Sequence, residues 1–139
     1  MAGLTKVLAD TGGIIALLDV SDKNHSAVAD VVLHSQMIVP ATILPEVDYL
    51  VTKYLGEEVS RLFFEDLVEG TFEYIGLDSS ALPSVLNRMT RYADLPIGFV
   101  DASLAVLADE QEIQNILTLD RRHFSVIRSE RYQAFQLLP

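Results

Sequence analysis

The stretch that most constrains the fold is Lys6-Val7-Leu8-Ala9-Asp10-Thr11-Gly12-Gly13, followed at once by Ile14-Ile15-Ala16-Leu17-Leu18. A short apolar run stops at a carboxylate and two glycines, then becomes a helical apolar pattern, which is how a buried parallel strand hands over to a helix. In parallel sheets the ligand crevice opens beyond the carboxyl ends of the strands. Asp10 therefore reads either as an acid aimed at a crevice or as the N-cap of the next helix.

The same grammar returns near the other end, where Asn115-Ile116-Leu117-Thr118-Leu119 runs into Asp120. Between the two lie alternating helical and extended patterns. Asn24 is placed to cap a helix over His25–Leu33, with Ala27, Val28, Val31 and Val32 as its apolar face and His25 and His34 solvated at its ends. Gln36–Val39 reads as a second strand stopped by Pro40. Thr42 then caps a helix to about Leu55, with Pro45 in its first turn and Gly56 closing it. Glu57–Glu69 forms another amphipathic helix with Val59, Leu62, Phe63 and Leu67 inward, and Phe72–Ile75 a third, half-buried strand. Ser79 or Ser80 caps a helix to about Ala93 whose core face is Leu82, Val85, Leu86 and Met89, leaving Arg88 and Arg91 for solvent, RNA or a partner. Val100–Ala108 is apolar nearly all round, so that helix should be buried on most faces. Strands alternating with helices make an α/β fold with a parallel sheet.

Two acids sit where a purely structural residue would be awkward. Glu46 lies on the edge of the stripe Ile43, Val47, Leu50, Val51 and Tyr54, and needs a donor, a positive partner or a metal unless the helix N-terminus alone accounts for it. Asp101 occupies the first turn of the apolar helix and enters the core from a helix N-terminus, whose dipole favours its ionised form. If the first and fourth strands are neighbours, Asp10 and Asp120 emerge side by side, and four acids from separate elements meet in one crevice. Crowded carboxylates without nearby basic residues call for a divalent cation, and all-oxygen ligands suit Mg²⁺ or Mn²⁺ better than zinc.

Composition sets the remaining bounds. At 139 residues with no linker or repeat, the chain fits one domain, and the absence of cysteine excludes a disulfide framework or thiolate metal site. No leader-like segment opens the sequence and Ile14–Leu18 is too short to span a bilayer, so a soluble, cytoplasmic protein is expected. The net charge of −10 argues against broad nucleic-acid affinity, but four of the ten basic residues fall in the last twenty positions, beginning with Arg121 and Arg122 beside Asp120. Those two arginines are placed to bind the phosphates of a ligand at the crevice or to pair with surface acids. With so low a general affinity, any nucleic-acid ligand would have to be selected by its shape.

The chain resembles the PIN-domain ribonucleases and, within them, the VapC-type toxins of bacterial toxin–antitoxin systems. The matching pieces are Asp10-Thr11-Gly12, Glu46 in the helix after Pro40, Asp94-Leu95-Pro96-Ile97-Gly98-Phe99-Val100-Asp101-Ala102, and Thr118-Leu119-Asp120-Arg121-Arg122-His123-Phe124, in the family's order. The resemblance implies one PIN domain over residues 1–139, three α/β/α layers and strand order 3-2-1-4-5. It carries the acidic quartet onto Asp10, Glu46, Asp101 and Asp120. It also implies an antitoxin partner that inserts into the crevice, and a homodimer. Gly13 stands where many relatives have a bulkier residue, which would loosen the turn after Asp10.

On this reading Asp10 and Asp101 are direct ligands of Mg²⁺ or Mn²⁺, Asp120 completes the shell or serves a second ion, and Glu46 orients or deprotonates the attacking water. Thr11 and Thr118 are hydroxyl donors toward the phosphate, or bond backbone at the strand ends. His123 is adjacent but has no nucleophile to serve, and Phe124 reads as core. Two other functions fit parts of the pattern: a metal-dependent phosphatase or phospho-accepting domain, which would favour paired acids on the first strand, and a non-catalytic interaction module of the same fold.

Overall fold

The computed structural model describes residues 3–95 and 97–139; Pro96, part of the loop motif above, lies outside the described residues. Five parallel strands form the sheet: β1 (Thr5–Ala9), β2 (Ser35–Pro40), β3 (Glu73–Ile75), β4 (Asn115–Leu117) and β5 (Gln136–Leu138), in spatial order β3-β2-β1-β4-β5. The connections carry α1 (Thr11–Leu18), α2 (His25–Leu33), α3 (Leu44–Leu55), α4 (Glu57–Glu69), α5 (Leu82–Arg91), α6 (Phe99–Glu110) and the single turn α7 (Arg121–Phe124). Parallel strands need such crossovers, and the right-handed rule puts α1–α4 on one face and α5–α6 on the other. The packing agrees: α1 meets α2 and α3, α3 meets α4, and α5 meets α6.

The strand order reverses direction between β1 and β4. Ala9 pairs with Leu117, and the ladder runs on where the Asp10 N–H donates to the Leu117 carbonyl at 2.9 Å. A crevice opens at that reversal, beyond the carboxyl ends of both strands. β5 is the strand that residue-by-residue reading did not single out; three residues after an irregular segment carry no usable period, although Thr118 N–H reaches the Leu138 carbonyl at 2.9 Å.

The core is apolar throughout the central strands, with Leu8, Ala9, Ile38, Val39, Ile116 and Leu117 buried, and seven consecutive residues of α6, Ala102–Ala108, are buried as its composition requires. Phe124 and Ile127 close the core beneath α7. Among the described residues no helix is long and apolar enough to cross a membrane.

Several local expectations are corrected. Asn24 makes no capping bond, because its backbone leaves the extended geometry a cap requires. A 3₁₀ turn, Ala41–Ile43, precedes α3, so Thr42 is inside that turn instead of capping the helix. Asp78, not Ser79 or Ser80, caps the turn before α5 by accepting from the Ser80 N–H at 3.2 Å. Leu62 of α4 and Leu82 and Leu86 of α5 are exposed, while Arg88 on α5 is buried. Arg88 donates to Asp109 of α6 at 2.6 Å and to the Arg128 carbonyl at 3.1 Å, tying α5, α6 and the segment after α7 together. His25 is half-buried, its Nδ1 2.9 Å from the Ala16 carbonyl.

Gly13 does not loosen the turn. A Cβ there would lie 2.9 Å from the Leu117 carbonyl oxygen and 2.8 Å from Leu117 Cγ, so glycine is what lets α1 seat against β4.

Candidate active site

A cavity of about 770 Å³ occupies the crevice. Asp10, Glu46, Asp101 and Asp120 all line it, with Thr11, Gly12, Phe99 and His123, and among the described residues no lysine or arginine does so. Each acid arrives on a different element: Asp10 as the residue after β1, Glu46 in the first turn of α3, Asp101 in the first turn of α6, and Asp120 just ahead of α7.

Asp10 is at once the cap and the site acid. Its Oδ1 accepts the Thr11 N–H at 2.8 Å, and its Oδ2 accepts the Thr118 hydroxyl at 2.9 Å. Both carboxylate oxygens are thereby held. Thr118 in turn accepts the Asp120 N–H at 3.0 Å, so one buried hydroxyl links two of the acids. Thr118 is fully buried, and its bond from the Asp120 N–H is the backbone alternative the sequence offered for it. The Thr11 hydroxyl is buried with no hydrogen-bond partner among the described residues.

Burial pushes the Asp10 carboxyl up to about 6, helped by the Asp101 and Glu46 carboxylates and opposed by the two hydrogen bonds. Asp101 is also raised, first by burial and then by Asp120 and Glu46, with His123 acting against them. Desolvation within a cluster of like charges thus works against the ionised form that the helix N-terminus favours at Asp101. Glu46 is exposed at the rim, less desolvated than its helical position suggested.

Arg121 and Arg122 are exposed and sit beside the cavity without lining it; Arg121 donates to the Pro139 carbonyl oxygen. Arg131 is engaged with Glu112 at 3.3 Å and with the Asp109 carbonyl.

The residue that sequence reasoning undervalued is His123. Its Nδ1 lies 3.0 Å from an oxygen of Asp101 and 3.0 Å from an oxygen of Asp120, yet hydrogen-bond geometry is met to neither. The available signal was its spacing three residues after Asp120, which puts both side chains on one side of a single helical turn. The donor set fits a divalent cation. Desolvated carboxylates converge without a lining lysine or arginine, and the donor atoms of Asp101, Asp120 and His123 fall within 4.8 Å of one another.

An α/β/α sheet of order 3-2-1-4-5 with an acidic crevice at its reversal defines the class, and residues 7–129 match the PIN domain. The chain belongs to the PIN-domain family. It is 31% identical over 135 residues to Ribonuclease VapC26 of Mycobacterium tuberculosis, covering 96% of this chain and all of that protein. The fold is shared with the Mycobacterium tuberculosis toxin VapC20, described as cleaving the sarcin-ricin loop, at a TM-score of 0.80 and 16% identity over 91% of this chain and 98% of that one. It is shared as well with DNA-bound VapBC from Salmonella typhimurium, at a TM-score of 0.70 and 19% identity over 96% and 97% of the two chains.

Proposed function

We propose that the chain is a divalent-metal-dependent endoribonuclease toxin, a single PIN domain over residues 1–139 that hydrolyses phosphodiester bonds in structured cellular RNA, either tRNA or ribosomal RNA. It acts in the cytoplasm as a homodimer and is neutralised by a cognate antitoxin protein. The observation that carries this reading is the arrival of four carboxylates from four elements in one cavity that, among the described residues, no lysine or arginine lines.

When bound, Mg²⁺ or Mn²⁺ supplies Lewis acidity, lowers the pKa of water and offsets charge on the phosphoryl oxygens. Asp10, Asp101 and Asp120 are the residues to hold it. Asp10 is oriented for that task by Thr11 N–H and Thr118, and the coupling of Thr118 to Asp120 keeps the two strand-end acids in register. Glu46, exposed at the rim, is placed to orient water and accept its proton. Arg121 and Arg122 offer guanidinium groups to RNA phosphates beside the cavity, and Thr11 lines the same wall. Attack by water leaves a 5′-phosphate and a 3′-hydroxyl.

The antitoxin proposal is supported by relatives that are toxins solved in VapBC assemblies. An acidic crevice would accept an inserted arginine from such a partner.

The test is digestion of total cellular RNA by the purified protein with Mg²⁺, with Mn²⁺ and with EDTA, alongside Asp10→Asn and Asp101→Asn. Discrete, metal-dependent fragments with 5′-phosphates, absent in both variants, are the expected result. RNA left intact with either metal by folded, inhibitor-free protein overturns the assignment.

A further inference from the structure

We propose that His123 is itself a metal ligand, so that Nδ1 completes a mixed nitrogen–oxygen triad with Asp101 and Asp120 and biases the site toward Mn²⁺ over Mg²⁺. This rests on the metal-centre reading above and adds to it a donor that the four acids do not include.

Three observations carry it. The first is placement: α7 begins immediately after Asp120, and one turn brings His123 back over that acid and against the first turn of α6, where Asp101 stands. Both His123 and Asp101 side chains are only 17% exposed, so the imidazole is held in the wall of the cavity and not waving above it.

The second is the unpaired nitrogen. Nδ1 is shielded from solvent and has two carboxylate oxygens at 3.0 Å, but its in-plane direction satisfies neither as a hydrogen bond. A solvent-shielded imidazole nitrogen without a hydrogen-bond partner is unfavourable, and a ligand between the three groups would supply that partner. In the neutral tautomer protonated at Nε2, Nδ1 carries a lone pair directed into that space.

The third is spacing. Ligand bonds of about 2.1 Å place adjacent donors of an octahedron about 3.0 Å apart, and those of a tetrahedron about 3.4 Å apart. The two N···O separations of 3.0 Å match the octahedral edge. A protonated His123 serving only as a counter-charge would instead turn its N–H onto one carboxylate.

The chemistry sets the preference. Mg²⁺ binds oxygen and retains water, whereas imidazole is a borderline donor that favours first-row transition ions, Mn²⁺ being the one among them that shares the octahedral, oxygen-rich habit of the rest of the site.

The test uses the intact protein with the metal alone. Pulsed electron paramagnetic resonance on Mn²⁺-loaded wild type should show coupling to a directly bound ¹⁴N. That coupling should vanish in His123→Gln and persist in His25→Gln and His34→Gln. Calorimetric titration should show His123→Gln losing at least about tenfold in Mn²⁺ affinity, the loss already typical of groups that merely orient ligands, with Mg²⁺ affinity changed little. Mn²⁺ bound with no ¹⁴N coupling in wild type, or with coupling that survives His123→Gln, removes His123 from the ligand set and leaves the carboxylate centre standing. Failure of the wild type to bind Mn²⁺ overturns the triad and the metal centre together.

Discussion

Asp10 concentrates the tension between stability and function in this fold. Its carboxyl is raised from 3.8 to about 6 by burial, so its ionised form is penalised in the folded protein. That penalty is absent well below the unfolded value of 3.8, where Asp10 is protonated in both states, grows as pH rises from there to about 6, and levels off above. At full ionisation it amounts to about 3 kcal/mol. In urea denaturation of metal-free protein, Asp10→Asn should come closest to wild type near pH 3 and exceed its stability by about that amount at pH 7.5. Added Mn²⁺ should then raise the melting temperature of wild type more than that of the variant. Thr118 supplies the opposing stabilisation. Thr118→Val deprives Asp10 of a donor and the Asp120 N–H of an acceptor, and should cost about 1–3 kcal/mol, whereas Thr118→Ser should retain most of it.

At the level of elements, the site depends on contacts that hold α1 and the segment around α7 in place. Gly13 is where α1 meets the Leu117 backbone, and an alanine there must push the two apart. Gly13→Ala should therefore destabilise by about 1–3 kcal/mol despite alanine's better helix propensity, as a lowered urea midpoint with an unchanged slope would show. Arg88 acts on the other side of the sheet. Against the cost of burial, hydrogen bonds from the Glu130 N–H, Ser129 and Arg88 hold the Asp109 carboxyl below the usual carboxylate range. Arg88→Met leaves a mostly buried charge without its partner and should cost about 3–5 kcal/mol. Combining it with Asp109→Asn should cost less than the sum of the single changes, because the unpaired charge is gone; a double-mutant cycle measures the difference.

For the whole molecule, charge decides how RNA is met. With a net charge of −10 and, among the described residues, Arg121 and Arg122 as the exposed cations beside Asp120, few phosphates can be neutralised at once. Two phosphate contacts on single-stranded RNA predict a slope of log affinity against log salt of about −1 to −2. Filter binding of Asp101→Asn to its RNA across a salt series would measure it, and a markedly steeper slope would mean that basic residues elsewhere carry the contact. Arg121→Ala and Arg122→Ala should each flatten the slope without altering where the RNA is cut, since phosphate contacts set register and carry no sequence information directly.

The α/β class, the strand-end carboxylates, the buried α6 and the acids that meet at the crevice were all legible in the sequence, because each is a local pattern. An apolar run ending in aspartate says strand and crevice, and an apolar helix says burial on every face. Tertiary structure decided what local pattern cannot encode. Leu86 and Arg88 sit two residues apart on α5, and only the presence of Asp109 across the interface explains why the leucine is exposed and the arginine buried. Thr118 could have faced substrate until the pairing of β1 with β4 set it against Asp10, and the close approach of α1 to that same pair made Gly13 a requirement. His123 gained its meaning only when α7 closed over α6. Partnership between residues distant in the chain is set by packing, and packing is where side-chain chemistry acquires its role.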